Sequence, residues 1–448
     1  MRFGLWAGMA CAFVGLAASQ VVPVSAGQSD RPNILFLIAD DMGIDASPCY
    51  PGREPKARMP NLERLCARGI VYDKVWTYAL CSPTRAALTT GRYGFRTGIG
   101  FVIDPQAPVD MALSEKEVSL HRLLASAPDP YAVAHIGKWH LAQRAIAENH
   151  PAKMGVAHFD GYLSGAPAPG YGQWNRTVNG KSARSTEYMT SAFTNAAIDW
   201  IGRQNRPWLM WLAYSAPHTP YHVPPSHLHT RTDLTSAAEA ARENPLPHFH
   251  AMLEALDTEI GRLLASLAPD VAANTLVIFL GDNGSAREVY RGDADGGRSK
   301  ATLYQGGIAV PLIVAGAGVT RQGERDDTLV DATDLFATIA DVASVPVAHS
   351  IDGRSFKCTF STAGSAAPKL AYSELFGSWL RGPRRQSLGW TVRDERYKFI
   401  QWEQGSSALF DLVEDPNETR NLLAGPSSPV IAERASRLRM ANAALKRL

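Results

Sequence analysis

Four short, almost wholly apolar runs in this chain each end in polar residues able to do chemistry. Residues 33–39 (NILFLIA) run into Asp40-Asp41, and 131–136 (YAVAHI) into Gly137-Lys138-Trp139-His140. Residues 207–214 (PWLMWLAY) run into Ser215-Ala216-Pro217-His218, and 275–280 (TLVIFL) into Gly281-Asp282-Asn283-Gly284. Runs this short and this apolar suit central strands of a parallel sheet covered on both faces. Open α/β sheets place their ligand sites beyond the carboxyl ends of such strands. The predicted fold is therefore α/β, a large mixed, mostly parallel sheet with helices on both faces. Its four polar tails are expected to meet in one pocket.

Helices fill the gaps. Leu253, Leu256, Ile260, Leu263, Leu264 and Leu267 form a helical stripe ahead of the 275–280 strand. Residues 331–343 (DATDLFATIADVA) read as a second helix, capped by Asp331 or Thr333. The stretch 346–368 is richer in Ser, Gly and Pro and reads as a boundary, dividing a catalytic domain at 30–345 from a C-terminal α+β subdomain at 346–448. In that subdomain 390–393 and 397–402 suggest an antiparallel hairpin around Asp394-Glu395, and a last helix is expected from about Pro429.

The 448 residues carry 45 basic and 43 acidic side chains, with no charge block that would suit nucleic acid. Arg2, an apolar stretch over 3–19 and the small-residue pattern Val24-Ser25-Ala26 read as a signal peptide over 1–26. A membrane anchor is the alternative, but no basic stop follows the stretch. The expectation is export to the periplasm or the medium, with no membrane span after cleavage. Cys11 leaves with the signal, so Cys49, Cys66, Cys81 and Cys358 remain. Cys49 and Cys66 are near in sequence, though spacing alone does not establish a disulfide.

Asp40, Asp41, Asp282 and Asn283 offer only oxygen donors, which suit calcium or magnesium better than zinc. Taken singly, either pair reads first as helix capping or turn chemistry; two pairs at two strand ends point to a shared cation site. Cys81-Ser82-Pro83-Thr84-Arg85 opens a helix-forming run. Pro83 suits a first turn, so Cys81 falls at a helix N-terminus where backbone N–H groups favour an anion, with Arg85 one turn on. The arrangement suits a nucleophile aimed at an anionic ester.

The string C-x-P-x-R followed by A-A-L-x-T-G-R resembles the signature of the formylglycine-dependent sulfatases, arylsulfatase-like members of the alkaline phosphatase superfamily. Asp40-Asp41-Met42-Gly43, Gly137-Lys138-Trp139-His140-Leu141, Pro217-His218-Thr219-Pro220, Asp282-Asn283-Gly284 and Asp415-Pro416-Asn417-Glu418 resemble further motifs of that family. The resemblance implies an alkaline-phosphatase-like fold and hydrolysis of an aryl or carbohydrate sulfate monoester. It implies that a maturation enzyme oxidises Cys81 to formylglycine, whose hydrate is the nucleophile. One divalent ion, usually Ca²⁺ with Mg²⁺ possible, is implied on Asp40, Asp41, Asp282, Asn283 and the modified Cys81. Arg85, Lys138, His140, His218 and Lys300 are implied around the sulfate, with His218 or Lys300 as proton donor and His140 as base. Strand alternation would set Lys138 and His140 on one face.

The chain departs from the family where E-G-G-x-R-V-P reads Gln305-Gly306-Gly307-Ile308-Ala309-Val310-Pro311. Both charges are missing together, which reads as a lost structural ion pair. Two rival readings remain at this stage: a phosphonate or phosphodiester hydrolase of the same superfamily, and a non-enzymatic binder of sulfated glycans with an unmodified Cys81.

Overall fold

A computed structural model describes Met1 and residues 31–447, apart from 53, 54, 105, 294, 295, 365, 368, 378, 381 and 427. The proposed signal segment lies outside the described residues. Eleven strands form the large sheet: β1 Asn33–Ala39, β2 Gly69–Trp76, β3 Ala132–Lys138, β4 His158–Tyr162, β5 Pro169–Gly170, β6 Gln173–Val178, β7 Lys181–Ser185, β8 Trp208–Ala213, β9 Thr275–Gly281, β10 Leu312–Gly316 and β11 Glu324–Asp331. Their order is β11-β2-β10-β9-β1-β8-β3-β4-β6-β5, with β7 on β6. The central block β9-β1-β8-β3-β4 is parallel throughout, and antiparallel strands flank it.

The four apolar runs are β1, β3, β8 and β9, and every residue of each is buried. Parallel strands covered on both faces leave no polar alternation, which is why they read as continuous runs. Two apolar clusters lie on opposite faces of the sheet, one under the helix Pro245–Ser266 and the other under Ala332–Val342. The former starts well ahead of the predicted stripe, at Pro245. The latter is capped by Asp331, whose side chain accepts from Thr333 while Asp334 reaches back to the Asp331 N–H. Removing such a cap costs about 1 kcal/mol.

A second sheet, β12 Ala371–Leu375, β13 Gly389–Arg393, β14 Tyr397–Trp402 and β15 Ser407–Asp411, is antiparallel and runs in sequence order. The hairpin turns at Asp394-Glu395 as predicted, and the last helix spans Pro429–Leu445. Cys49 and Cys66 form a disulfide, while Cys81 and Cys358 are free. No helix among the described residues is long and apolar enough to cross a membrane.

Candidate active site

Register brings the acidic tails together. Ala39 of β1 pairs with Gly281 of β9, so the next residues leave adjacent strands at one level. The Asp41 N–H accordingly donates to Asp282 Oδ1 at 3.0 Å. On the far side of β1, β8 leads to His218, and β3 beyond it ends at Lys138. Gly137 has φ +104°, and a Cβ there would stand 2.0 Å from the Ala213 carbonyl, so only glycine lets the strand end this way.

Cys81 is the first residue of the helix Cys81–Thr90, and its N-cap, Leu80, supplies no side-chain acceptor. The first-turn donors are therefore not taken by a cap and are open to an anion. The thiol donates to Asp40 Oδ1 at 3.3 Å. Lys138 Nζ lies 2.5 Å from Asp40 Oδ2, and Lys300 Nζ 2.6 and 2.7 Å from the two Asp41 oxygens. Arg85 donates from Nη2 to Asp282 Oδ2 at 2.8 Å and from Nη1 to the Lys138 carbonyl at 2.9 Å, while its Nε is buried without a partner. Asp40, Asp41, Asp282, Asn283, Cys81, Arg85 and Lys138 are at most 1% exposed. The His218 and Lys300 side chains keep 13% and 17%, so the centre opens past these two.

His218 Nδ1 donates to the Thr219 carbonyl at 2.7 Å, which leaves Nε2 facing Asp41 Oδ2 at 3.8 Å. His140 corrects one expectation. β3 ends at Lys138 and His140 holds φ +55°, so strand alternation does not set its direction. Its Nε2 donates to the Ile103 carbonyl at 3.3 Å, leaving Nδ1 buried and unpartnered. Asp41 also has positive φ, +68°. Backbone held in this region is strained for non-glycine residues, and such strain gathers at functional sites.

Burial acts to raise the Asp41 carboxyl, but Lys300, His218 and Lys138 override it and hold it well below its usual range. Burial and then Asp40 raise Asp282 to about 6. Burial and then Asp40 push the Cys81 thiol well above its usual range, so the unmodified cysteine stays protonated. Lys138 and Lys300 are lowered by burial, but Asp40 and Asp41 respectively outweigh it and keep both charged.

The residues fit a hard cation. Asp40, Asp41, Cys81 and His218 offer atoms within 4.8 Å of one another. Asn283 donates through Nδ2 to Asp41 Oδ1 at 2.8 Å and to the Gly284 carbonyl at 3.0 Å. This fixes its amide orientation and leaves Oδ1 buried with no donor. A buried acceptor left bare beside the Asp41 carboxylate is a position a cation can satisfy.

Gln305 lies apart from this centre. Its Oε1 accepts from Trp76 Nε1 at 2.7 Å, and its N–H donates to Glu418, which meets the buried Lys398 at 2.7 Å. Ala309 is buried and bridges to the Trp76 backbone.

Several supporting residues escaped the sequence reading. Tyr162 meets the Ser215 hydroxyl at 2.5 Å, and Tyr171 donates to the Ser215 and His218 carbonyls, bracing the His218 loop from below. Gly165 closes on the His140 ring, 2.6 Å from where a Cβ would stand. All three residues lie in 160–185, a stretch whose short strands and loops carry no periodic signal.

At its strand ends the parallel α/β sheet thus gathers carboxylates, an amide and lysines around a helix-terminal cysteine, a set able to accept a cation. Residues 32–345 match the Sulfatase family profile, and residues 296–443 match the profile described as N-sulphoglucosamine sulphohydrolase, C-terminal. The chain belongs to the sulfatase family. It is 30% identical to N-acetylgalactosamine-6-sulfatase of Sus scrofa over 364 residues, 73% of this chain and 65% of that protein, just under two thirds of its length. It is 25% identical to arylsulfatase A of Homo sapiens over 492 aligned positions, 96% of this chain and 92% of that protein. The crystal structure of Ps i-CgsB in complex with k-i-k-neocarrahexaose shares the fold, with a TM-score of 0.78 at 21% identity over 93% of each chain. A structure of BT4656 with its substrate D-glucosamine-2-N,6-O-disulfate shares it at TM-score 0.71 and 19% identity, over 92% of this chain and 96% of that one.

Proposed function

We propose that this protein is an exported sulfatase that hydrolyses a carbohydrate sulfate monoester at a centre built on Cys81. The observation that carries the reading is the set of unfilled positions around that residue: the uncapped helix start, Arg85 Nε, Asn283 Oδ1 and His140 Nδ1. Two donor positions and two acceptors are what a sulfuryl group, a cation and a nucleophilic hydroxyl would together satisfy.

A divalent cation on Asp40, Asp41, Asp282 and Asn283, with an aldehyde hydrate in place of the thiol, would supply a nucleophilic oxygen of lowered basicity. The chain's own groups do the rest. Arg85, Lys138, Lys300 and the helix start hold the sulfuryl oxygens. Lys300 and His218 flank the open side, where a leaving alcohol would depart; Lys300 stays charged and can deliver its proton, while His218 keeps its hydrogen on Nδ1, turned to the Thr219 carbonyl. His140 Nδ1 is a bare lone pair, suited to take up the proton that restores the starting state. The low exposure of the centre keeps these charges out of water, where they act most strongly.

The substrate class rests on relatives that act on sulfated sugars, with 6-sulfated N-acetylgalactosamine as the first candidate. Export is supported by the Cys49–Cys66 disulfide, which suits an oxidising compartment. The division into a catalytic part at 30–345 and a C-terminal part at 346–448 belongs to the same reading; the antiparallel sheet lies wholly in the second part. The test is sulfate release from 4-nitrophenyl sulfate and a panel of sulfated mono- and disaccharides, beside bis(4-nitrophenyl) phosphate. Faster cleavage of the phosphodiester would sink the sulfatase reading in favour of its superfamily rival. Activity retained by Cys81→Ala would remove Cys81 from the chemistry.

A further inference from the structure

Behind the centre lie two buried histidines that the chemistry above does not use. His121, on the helix Leu120–Ala125, and His135, on β3, are 0% and 2% exposed. His135 Nδ1 is 3.3 Å from His121 Nε2, and His135 Nε2 is 3.1 Å from the Lys138 carbonyl. That carbonyl is the one Arg85 also reaches. A carbonyl only accepts, so His135 carries its hydrogen on Nε2 and is bare at Nδ1. His121 must then donate from Nε2, which leaves its own Nδ1 bare, and that atom is buried with no partner. One tautomer of each ring satisfies both contacts.

We propose that His121 and His135 are positioning residues, a neutral pair locked in one tautomer that fixes the Lys138 peptide and, through it, Arg85 and the Lys138 side chain. The rings have no freedom to serve otherwise. His135 stacks on Trp211 at 5.5 Å and 17°, and meets Trp139 edge-on at 5.0 Å. His121 lies 4.9 Å from the same Trp211 ring. Both are neutral: burial alone takes His121 to about 3, and burial, then His121 itself, takes His135 well below its usual range. Neutrality suits the place, because Arg85 and Lys138 already put two cations there. The Lys138 carbonyl is where support is needed. The β3–β8 register stops at Gly137–Ala213 and the β3–β4 register at Lys138–Tyr162, and two residues past Lys138 the chain turns through positive φ at His140. The Trp139 N–H of this peptide is held by the Tyr162 carbonyl at 3.0 Å, but without His135 the Lys138 carbonyl oxygen would keep Arg85 as its one donor.

The kinetic arm of the test rests on the sulfatase reading. Groups that orient a first layer of binding residues typically contribute 10–100-fold. His135→Leu should raise both KM for 4-nitrophenyl sulfate and the inhibition constant of inorganic sulfate by about 10-fold, since Arg85 and Lys138 hold the same oxygens in each. A merely structural role would reduce the active fraction and leave both constants unchanged. His135→Gln, which keeps a donor near the carbonyl, should recover most of the loss. His121→Phe should give a smaller rise, and none in the His135→Leu background. Should His135→Leu fail to fold, His121→Phe stands in, with a rise of more than about twofold expected in both constants. Constants within about twofold of wild type in His135→Leu, or in His121→Phe if that variant stands in, would overturn the proposal, as would a glutamine variant no better than leucine. A wild-type protein that hydrolyses no sulfate ester would sink the sulfatase reading instead. In that case the pair is decided without activity, by ¹⁵N NMR of histidine-labelled protein at pH 7. Two Nε2–H neutral rings are expected, and an Nδ1–H tautomer or an imidazolium at either position would overturn the assignment.

Discussion

Arg85 and Asp282, 197 residues apart in the chain, meet at 2.8 Å in a pair that is almost wholly buried. A guanidinium from the helix that starts at Cys81 thus anchors a carboxylate from the end of β9. The other oxygen of Asp282 takes the Asp41 N–H, so one side chain ties together the helix and two strand ends. Coupling of this kind makes the centre a single unit whose parts should fail together.

Asp282→Ala should therefore lose metal, activity and stability at once. Removing one partner of a buried pair is costly, and here it leaves Arg85 with Asp40 at 3.7 Å as its nearest carboxylate, so a loss of about 3 kcal/mol is expected. Metal analysis of the wild type should find about one calcium or magnesium ion per chain, and of the variant almost none. Stoichiometric zinc in the wild type would contradict the oxygen-donor assignment.

Gln305 sits with its backbone N–H on Glu418 and its side-chain oxygen on Trp76. Gln305→Glu would put a carboxylate on the Trp76 indole N–H, where the one buried lysine nearby, Lys398, is already paired with Glu418. Denaturant unfolding should show a loss of about 2 kcal/mol, with aryl-sulfate turnover little changed. Adding Ala309→Arg should return most of it if the two positions form a pair. Strictly additive effects in the double-mutant cycle would show that they do not.

Glu374 is a buried carboxyl taking the Phe95 N–H at 2.6 Å and the Tyr372 hydroxyl at 2.9 Å. Burial raises it from 4.5 to about 7. Between those values the folded protein binds a proton that the unfolded chain releases, so the contribution of this group to stability falls as pH rises from 4.5 to 7. The loss is about 3 kcal/mol over that window. Glu374→Gln should flatten it, because the amide stays neutral and the Tyr372 hydroxyl can turn to accept. Parallel stability–pH curves for the two proteins would refute the shift.

The strands that build the site were legible because burial on both faces removes alternation and leaves runs such as 33–39 and 275–280. Their polar tails were legible because each begins where a run stops. The Lys138–His140 geometry was not, since two residues of alternation mean nothing once the strand ends and φ turns positive. Tyr162, Tyr171 and the His121–His135 pair were invisible for a different reason. Each acts through backbone carbonyls or a neighbouring hydroxyl set by tertiary packing, and a lone tyrosine or histidine in sequence carries no sign of its partner. Gln305 was visible only as a departure from a motif; its Trp76 and Glu418 partners came from elsewhere in the chain.

The centre built on Cys81 is tested most directly by the mass of the peptide that contains it. The protein should be produced with a cysteine-type maturation enzyme and assayed for sulfate release before digestion. Oxidation of the thiol to the aldehyde removes about 18 Da. A hydrolytically active preparation is expected to carry that loss at position 81, in proportion to its activity, and Cys81→Ala is expected to be folded and inactive. A preparation that releases sulfate at full rate while its Cys81 peptide keeps the unmodified mass would contradict the account.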